Sequence, residues 1–402
     1  MLIDVMFVHL MFTREFCAVM VYNVVIVGYG EIARLAHLPV LSSRSDTQVV
    51  GLVDVNFPKE EVVEEISGTG TNTAKSSSAV VDPLKFSTIS DAFDYFGGTI
   101  HALSICTPKT VTLSVALECL QIAASRPERT LLGILIEKPP GDDCDELNKV
   151  VDYAISSGVS IFTACHTAAC PSRRHIDEWL FGENTNKQQV CMRRLKTIDI
   201  TWKESVRKWH PGQIWISSAT GGGVTDMLFN PLSLIVSLFG LESMSIQLVK
   251  AELVRPCNWE APISGFAEFI ITIPYRDCDD FKEVEMIDVP LKAEFAFDYE
   301  PPANDDKKEE EIWSIDFVNF DNSILRLTDG GSQAFIDLKR VTTEPTAEYP
   351  LRPEYETLYD QFVDLLQRNQ GDAPSMVDCT TLAILKEIVQ EAYYSVGPRF
   401  DF

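Results

Sequence analysis

Val24–Val27 is a continuous apolar run that ends in Gly28-Tyr29-Gly30-Glu31-Ile32-Ala33, and a helical pattern follows from Glu31 to about Leu41. A strand that turns straight into a helix through GxGxxA leaves few folds open, because that turn is built to carry a pyrophosphate. Gly28 permits the tight turn, and Gly30 lets the backbone approach the anion. Ala33 is small enough for the helix to pack on a sheet, and the helix N-terminus faces the negative charge. Tyr29, Glu31 and Ile32 complete the binding turn. Asp54 ends the next strand, 24 positions after Gly30. A carboxylate there accepts hydrogen bonds from the adenosine ribose hydroxyls and repels a 2′-phosphate, which favours NAD. Lys59 and a nearby Ser-rich stretch keep NADP open as the alternative.

The pattern that follows extends this turn into a sheet. Val49–Asp54, Ala102–Cys106, Leu131–Ile136 and Ile161–Ala164 read as strands, with helical patterns through Val115 and Leu120 and from Asp145 to Ile155. Apolar strands alternating with amphipathic helices predict a parallel sheet covered on both faces. Ser67–Ser78, rich in Gly, Ser and Thr, reads as a surface insertion. Beyond about residue 190, strand patterns dominate: Leu195–Lys203, Ile246–Leu253, Ala267–Ile273, Leu291–Tyr299, Ile312–Val318, Ile324–Thr328 and Ala334–Leu338. Their succession predicts a large, mostly antiparallel sheet. Asn230–Leu238 reads as a helix, as do two closing segments, one through Tyr355, Leu358, Tyr359, Phe362 and Leu365 and one through Leu382, Leu385, Val389 and Ala392. The expected organisation is α/β: an atypical extension over 1–20, a Rossmann dinucleotide-binding domain over 21–165, and a substrate-binding and oligomerisation α+β domain over 166–402. The last helices have room to pack back on the first domain.

Composition narrows the partners. The 402 residues carry a formal net charge of -25, so phosphate backbones and anionic membrane surfaces repel the chain. Neither nucleic acid nor membrane is an expected partner. Two acidic runs, Asp277, Asp279, Asp280, Glu283, Glu285 and Asp305, Asp306, Glu309, Glu310, Glu311, read as solvated loops. The ten cysteines are scattered without a CxxC pair, which suits reduced thiols in the cytoplasm. Cys165, His166 and Cys170 lack a second pair at zinc spacing, so no metal is expected. Residues 1–20 carry Asp4, Arg14 and Glu15, and fit neither a signal peptide nor a membrane span.

Ligands in Rossmann-like folds lie beyond the carboxyl ends of the strands. Thr107-Pro108 and Glu137-Lys138-Pro139 stand at two such ends, and Pro139 biases Lys138 toward an extended conformation. With the early GxGxxA, these motifs resemble the Gfo/Idh/MocA oxidoreductase family. The resemblance is strongest to its D-galactose and L-arabinose 1-dehydrogenase branch, through Trp202-Lys203-Glu204, Lys208-Trp209-His210-Pro211-Gly212-Gln213, Trp215, Gly221-Gly222-Gly223-Val224-Thr225-Asp226 and Asn230. Later echoes are Trp313-Ser314-Ile315-Asp316, Leu325-Arg326-Leu327 and Gly330-Gly331.

This resemblance implies oxidation of the C1 hydroxyl of an aldopyranose to a lactone with hydride transfer to NAD. Thr107, Pro108, Glu137 and Lys138 would join the cofactor site, with Lys138 also the active-site lysine. Asp226 and Asn230 would stand beside the reacting carbon. Glu204 and His210 would bind sugar hydroxyls, Trp209 would form a stacking wall, and His166 would sit at the start of the second domain. Where the branch has Asp-Pro-Gly-Ile-Asn this chain has Asp226-Met227-Leu228-Phe229-Asn230, read as an altered turn. Asn230 cannot take a proton at neutral pH, so Asp226, helped by Lys138, is the expected base. Two readings stay open beside this one: a related dehydrogenase of a cyclitol, dihydrodiol or modified sugar, and a catalytically silent dinucleotide-binding regulator. A homo-oligomer is expected by analogy alone.

Overall fold

In the computed structural model, residues 20–58, 82–182, 193–240, 244–275, 284–298, 311–342, 351–368 and 379–401 are described. Residues 1–19, Lys59, Ser67–Ser78 and the acidic residues Asp277, Asp279, Asp280, Glu283, Asp305, Asp306, Glu309 and Glu310 lie outside them.

Strand parity organises the first part of the chain. β1 (Tyr22–Val27) sends Tyr22, Val24 and Ile26 into one core, and Val25 and Val27 into another on the opposite face. A π-helical turn, Ala33–His37, continues into α1 (Leu38–Ser43). The widened turn has a local cause. Pro39 has no N–H to donate, and the Leu38 N–H just before it reaches back five residues to Ala33 O. β2 (Thr47–Val53), β3 (Leu84–Phe86), α2 (Ile89–Phe96), β4 (Ala102–Ile105), α3 (Lys109–Ala124), β5 (Gly133–Glu137), α4 (Cys144–Ser156) and β6 (Ser160–Ala164) complete the unit. The six strands are all parallel, in the order β3-β2-β1-β4-β5-β6. This is the strand order of a Rossmann fold, which places ligands beside the carboxyl ends of β1 and β4.

After a 3-10 turn at His166–Ala169 and α5 (Arg173–Phe181), β7 (Leu195–Lys203) opens a second sheet. Then follow α6 (Val206–Trp209), α7 (Val224–Phe239), β8 (Ser245–Pro256), β9 (Ser264–Tyr275), β10 (Glu285–Ala296), β11 (Ile312–Asn319), β12 (Ile324–Thr328), β13 (Gln333–Ile336), β14 (Lys339–Arg340), α8 (Arg352–Arg368), α9 (Cys379–Glu391) and β15 (Tyr393–Gly397). The sheet has nine strands, in the order β14-β13-β12-β11-β7-β10-β9-β8-β15. It is mixed and mostly antiparallel, because β7 with β10 and β8 with β15 pair in parallel. α7 is buried along almost its whole length, as suits a helix apolar on every side.

Two sequence readings change. Asp226 to Asn230 is no turn: α7 begins at Val224, so the pair stands four residues apart on one helical face. Glu311 is no solvated loop residue. Its side chain is 10% exposed, because the start of β11 pairs beside the end of β7. Among the described residues, no helix is long and apolar enough to cross a membrane.

The first sheet is closed on one face by α3 and α4, and on the other by α1 together with α8 from the far end of the chain. Phe362 of α8 lies 5.9 Å from the Phe162 ring of β6. At Gly133 of β5, an added Cβ would overlap Leu366 and stand 3.2 Å from Phe362. Gly133→Val is therefore expected to destabilise the protein by about 1–3 kcal/mol through overpacking. A urea unfolding midpoint equal to that of the wild type would show that α8 does not depend on this close approach.

Candidate active site

A cleft of about 720 Å³ runs from Asp54 and Asn56, past Gly28, Gly30, Glu31, Ile32, Thr107 and Pro108, to Lys138, His166, Glu204, Trp209, His210, Asp226 and Asn230. At its first end, Gly28 takes a φ of +87°, and a Cβ there would stand 2.9 Å from the Cys106 carbonyl. At Gly30 no atom lies within 4 Å of where a Cβ would stand. The cradle thus has room for a phosphate beside the start of the helix, and these residues fit a dinucleotide. Asp54 Oδ2 accepts the Tyr29 N–H at 2.8 Å, and Oδ1 accepts the Asn56 N–H at 2.9 Å. That carboxylate, which also accepts from Asn56 Nδ2 at 2.9 Å, therefore holds the turn while Asp54 lines the cleft. Tyr29 and Ala33 do not line it: Tyr29 packs on Phe57, and Ala33 is buried against the sheet.

At the other end, β5 delivers Lys138, whose bond to Pro139 is cis. Lys138 Nζ lies 3.3 Å from Asp226 Oδ2, and His210 Nε2 lies 3.8 Å from the same oxygen. Burial, the largest influence on Lys138, opposes its charge, but Asp226, Glu137 and Glu204 outweigh it and keep it an ammonium. Burial likewise pushes Asp226 up, and the ammonium groups of Lys138 and Lys109 more than reverse it, so its carboxyl stays below the usual range. Glu204 has no such compensation. Burial pushes it up to about 8 despite Lys138, leaving it protonated at neutral pH. Burial and then Lys138 push His166 down to about 4, and its ring stacks on Tyr355 at 6.0 Å.

The WHPGQ segment sets a tautomer. Trp215 Nε1–H can only donate, and it donates to Gln213 Oε1 at 3.1 Å. His210 Nδ1 lies 3.1 Å from that same oxygen, so Nδ1 must carry the proton it donates. Burial keeps the ring neutral by lowering its pKa, which leaves Nε2 bare toward Asp226. Glu311 holds the segment from outside, accepting from Ser205 N and Trp209 Nε1, each at 2.9 Å, and from Lys208 Nζ at 2.5 Å. Trp209 tilts against Trp313 at 5.2 Å, and Trp313 stacks on Trp202 at 5.9 Å. Asn230 Oδ1 is buried without a hydrogen-bond partner, an acceptor in want of a donor.

Among the described residues, each lysine lining the cleft has an acid: Lys109 with Asp142 at 2.7 Å, Lys138 with Asp226, and Lys208 with Glu311. Sequence reasoning did not single out Lys109, Gln213, Tyr355 or the stacked Trp202 and Trp313 as site residues. Trp202, Gln213 and Trp313 lay within the motif runs that carry the family resemblance, which was the available signal for them. Glu137 touches the cleft only in part, since its carboxylate turns beneath it to His37 at 2.7 Å. Among the described residues, no group of three or more His, Cys, Asp or Glu is arranged to hold a metal ion.

Comparison with known proteins points the same way. Residues 22–165 match the Gfo/Idh/MocA family, described as an oxidoreductase family with an NAD-binding Rossmann fold. A galactose 1-dehydrogenase of Pseudomonas fluorescens is 26% identical over 362 residues, covering 90% of this chain and 93% of that protein. The crystal structure of a D-galactose-1-dehydrogenase from Rhizobium etli is similar at a TM-score of 0.67 and 24% identity, covering 94% of this chain and 97% of that one. A 3-ketoreductase from Actinomadura kijaniata, in complex with NADP, is similar at a TM-score of 0.64 and 13% identity, covering 94% and 99%. Through residues 22–165, which form its NAD-binding Rossmann fold, the chain is similar to the Gfo/Idh/MocA oxidoreductase family.

Proposed function

We propose that this chain oxidises the C1 hydroxyl of a neutral aldopyranose to the lactone, with NAD as hydride acceptor. The observation that carries this reading is the convergence of Lys138, Asp226, Asn230, Glu204 and His210 at the inner end of the dinucleotide cleft, beside a wall of indoles. Such a set offers ionised and neutral acceptors, an ammonium and a neutral carboxylic acid to the ring of hydroxyls of a sugar. The similarity to galactose 1-dehydrogenase supports the substrate class.

A dinucleotide held at Gly28, Gly30 and Asp54 would supply the acceptor for the C1 hydride. Asp226, ionised and on the same helical face as Asn230, accepts the proton of the anomeric hydroxyl. The Lys138 ammonium, 3.3 Å from Asp226, stabilises the negative charge that develops on that oxygen. Asn230 Oδ1 and His210 Nε2 accept hydrogen bonds from neighbouring hydroxyls, and protonated Glu204 donates one. Asp54 favours NAD over NADP by repelling a 2′-phosphate.

Three outcomes are expected. Asp226→Asn should lower kcat by about 10²–10⁴-fold and leave NAD affinity within about twofold; turnover equal to the wild type, read as NADH absorbance with galactose or arabinose, removes Asp226 from the chemistry. Glu204 donates below its pKa of about 8 and loses its proton above it, placing a second negative charge near Asp226. The sugar KM should therefore be flat below that pH and rise by about tenfold per unit above it, whereas Glu204→Gln keeps its donor and stays flat. A wild-type KM indifferent to pH up to 10 would show that Glu204 does not bind as the acid. Finally, with every cleft lysine already paired, a phosphate on the far end of the sugar meets no unpaired lysine. Galactose 6-phosphate should show a kcat/KM lower than galactose by about 100-fold, the order of two to three kcal/mol for a desolvated charge left unpaired. Equal use of both sugars would contradict the neutral-substrate assignment.

A further inference from the structure

Glu137 is the last residue of β5, and strand parity sends its side chain away from the cleft that Lys138 serves. Oε1 accepts hydrogen bonds from His37 Nε2 at 2.7 Å and from Tyr355 Oη at 2.6 Å. Oε2 accepts the main-chain N–H of Lys138 at 3.0 Å. His37 itself has no solvent exposure. Its other ring nitrogen lies 2.6 Å from Tyr359 Oη and 2.9 Å from Ser104 Oγ. These groups come from the turn before α1, from β4, β5 and α8, so four elements meet at one carboxylate.

A buried carboxylate is costly unless it is paired and fully hydrogen-bonded. Lys138 is the next residue, but its ammonium is directed to Asp226. Of the groups in contact with the Glu137 carboxylate, His37 is the one able to carry a compensating charge. The helical register reinforces this: Ala33, Ala36, His37, Val40 and Leu41 are the residues that turn from this helix into the core. His37 therefore lies about one turn beyond the GxGxxA segment, on a rigid element that starts at the dinucleotide cradle.

We propose that His37 and Glu137 form a buried ion pair that positions Lys138, tying the active-site lysine to the helix that starts at the dinucleotide turn. The inference rests on Lys138 being the active-site lysine, as proposed above. It makes His37 and Glu137 positioning residues, since neither reaches the sugar. The charge states agree with it. Burial opposes a cation at His37, and Cys106, Tyr359 and Glu137 outweigh burial and hold its pKa well above the usual value. Burial also opposes ionisation of Glu137, which His37, Tyr355 and His166 reverse. The titratable groups facing the pair are Cys106 from β4, Tyr355 and Tyr359 from α8, His166 from the turn after β6, and Lys138. Asp226 and Glu204 face Lys138 from α7 and the end of β7.

The test needs no sugar. The pH dependence of Lys138 acetylation by acetic anhydride, followed by peptide mass spectrometry, reports the free-amine fraction of that side chain. It is measured in the wild-type chain, H37Q, E137Q and the double variant H37Q/E137Q. E137Q removes a negative neighbour of Lys138, so its titration midpoint should fall, and labelling at pH 8 should rise by about tenfold for a fall of one unit. H37Q should shift the midpoint in the same direction, because an uncompensated Glu137 takes up a proton. The double variant should label like E137Q, since His37 acts through Glu137. If H37Q alone does not fold, the double variant, with both charges replaced by amides, still gives the comparison with E137Q. Labelling in the double variant that exceeds E137Q by the full H37Q effect, or a Lys138 midpoint unmoved by E137Q, would overturn the proposal. Should Lys138 titrate as expected while no aldose reduces NAD, the pair stands and the sugar assignment falls.

Discussion

A parallel sheet has no face that it can leave to water. In this chain the crossover helices α3 and α4 fill one face, but α1 covers only part of the other, and α8 supplies the rest. Everything between β6 and α8 is therefore a long excursion that must begin and end at the same sheet. The second sheet and α7 are built during that excursion, and the return of α8 fixes where they stand. The result is that Glu204 at the end of β7 and Asp226 on α7 come to the carboxyl end of β5. The covering of an apolar face thus does more than stabilise the first sheet: it closes the cleft.

The same covering creates an electrostatic problem. Ser104 and Glu137 project from β4 and β5 into the face that α1 and α8 bury, where an unpaired polar group costs on the order of 1–3 kcal/mol and a charge more. His37, Tyr355 and Tyr359 answer both. Parity then decides what is left for the cleft. With Glu137 turned under the sheet, Lys138 is free to turn over it, toward Asp226. The two neighbours in sequence belong to two hydrogen-bond networks that meet at the Lys138 main-chain N–H.

Much of this was legible in the sequence, and the reasons differ from element to element. The parallel strands are short apolar runs bounded by glycine and polar residues, so β1, β2, β4, β5 and β6 stand out. The seven strand patterns beyond residue 190 each overlap a strand of the second sheet, although β10 starts at Glu285, earlier than Leu291, and ends at Ala296; Tyr299 lies outside the described residues. The first half of β10 carries Asp288 and Pro290 on outward positions and begins at an exposed Glu285, which weakened the apolar signal. α7 begins earlier than read, because the glycines before it and Pro231 within it look like breakers. β15 was invisible: it is an edge strand whose existence depends on β8 being there to pair with. Lys138, Asp226, Asn230, Glu204 and His210 were named through the family resemblance of their motifs, and they line one cleft. His37 was hidden in plain view, a histidine among Ala33, Ala36, Val40 and Leu41 on a face that could only be buried. Trp202 and Trp313 stack through the pairing of β7 with β11, which no local pattern encodes.

The arrangement of acids around Lys138 also follows from a charge argument. One ammonium can compensate one buried carboxylate well, and a second carboxylate nearby must then remain protonated. Asp226 has the contact with Lys138 at 3.3 Å and the further support of Lys109, so it ionises. Glu204 keeps a single hydrogen bond, from Trp202 Nε1 at 3.3 Å, and feels Glu311 and Asp226 against it, so it holds its proton. Two residues of similar chemistry are thereby divided into an acceptor and a donor without any difference in side-chain type. On the proposed reading, that division suits an aldopyranose, whose anomeric hydroxyl must lose a proton while its neighbours must be held. It also explains why the site tolerates so many acids in a chain of net charge -25. At the inner end of the cleft, Lys138 offsets the charge of Asp226, and Glu204 adds none while it keeps its proton.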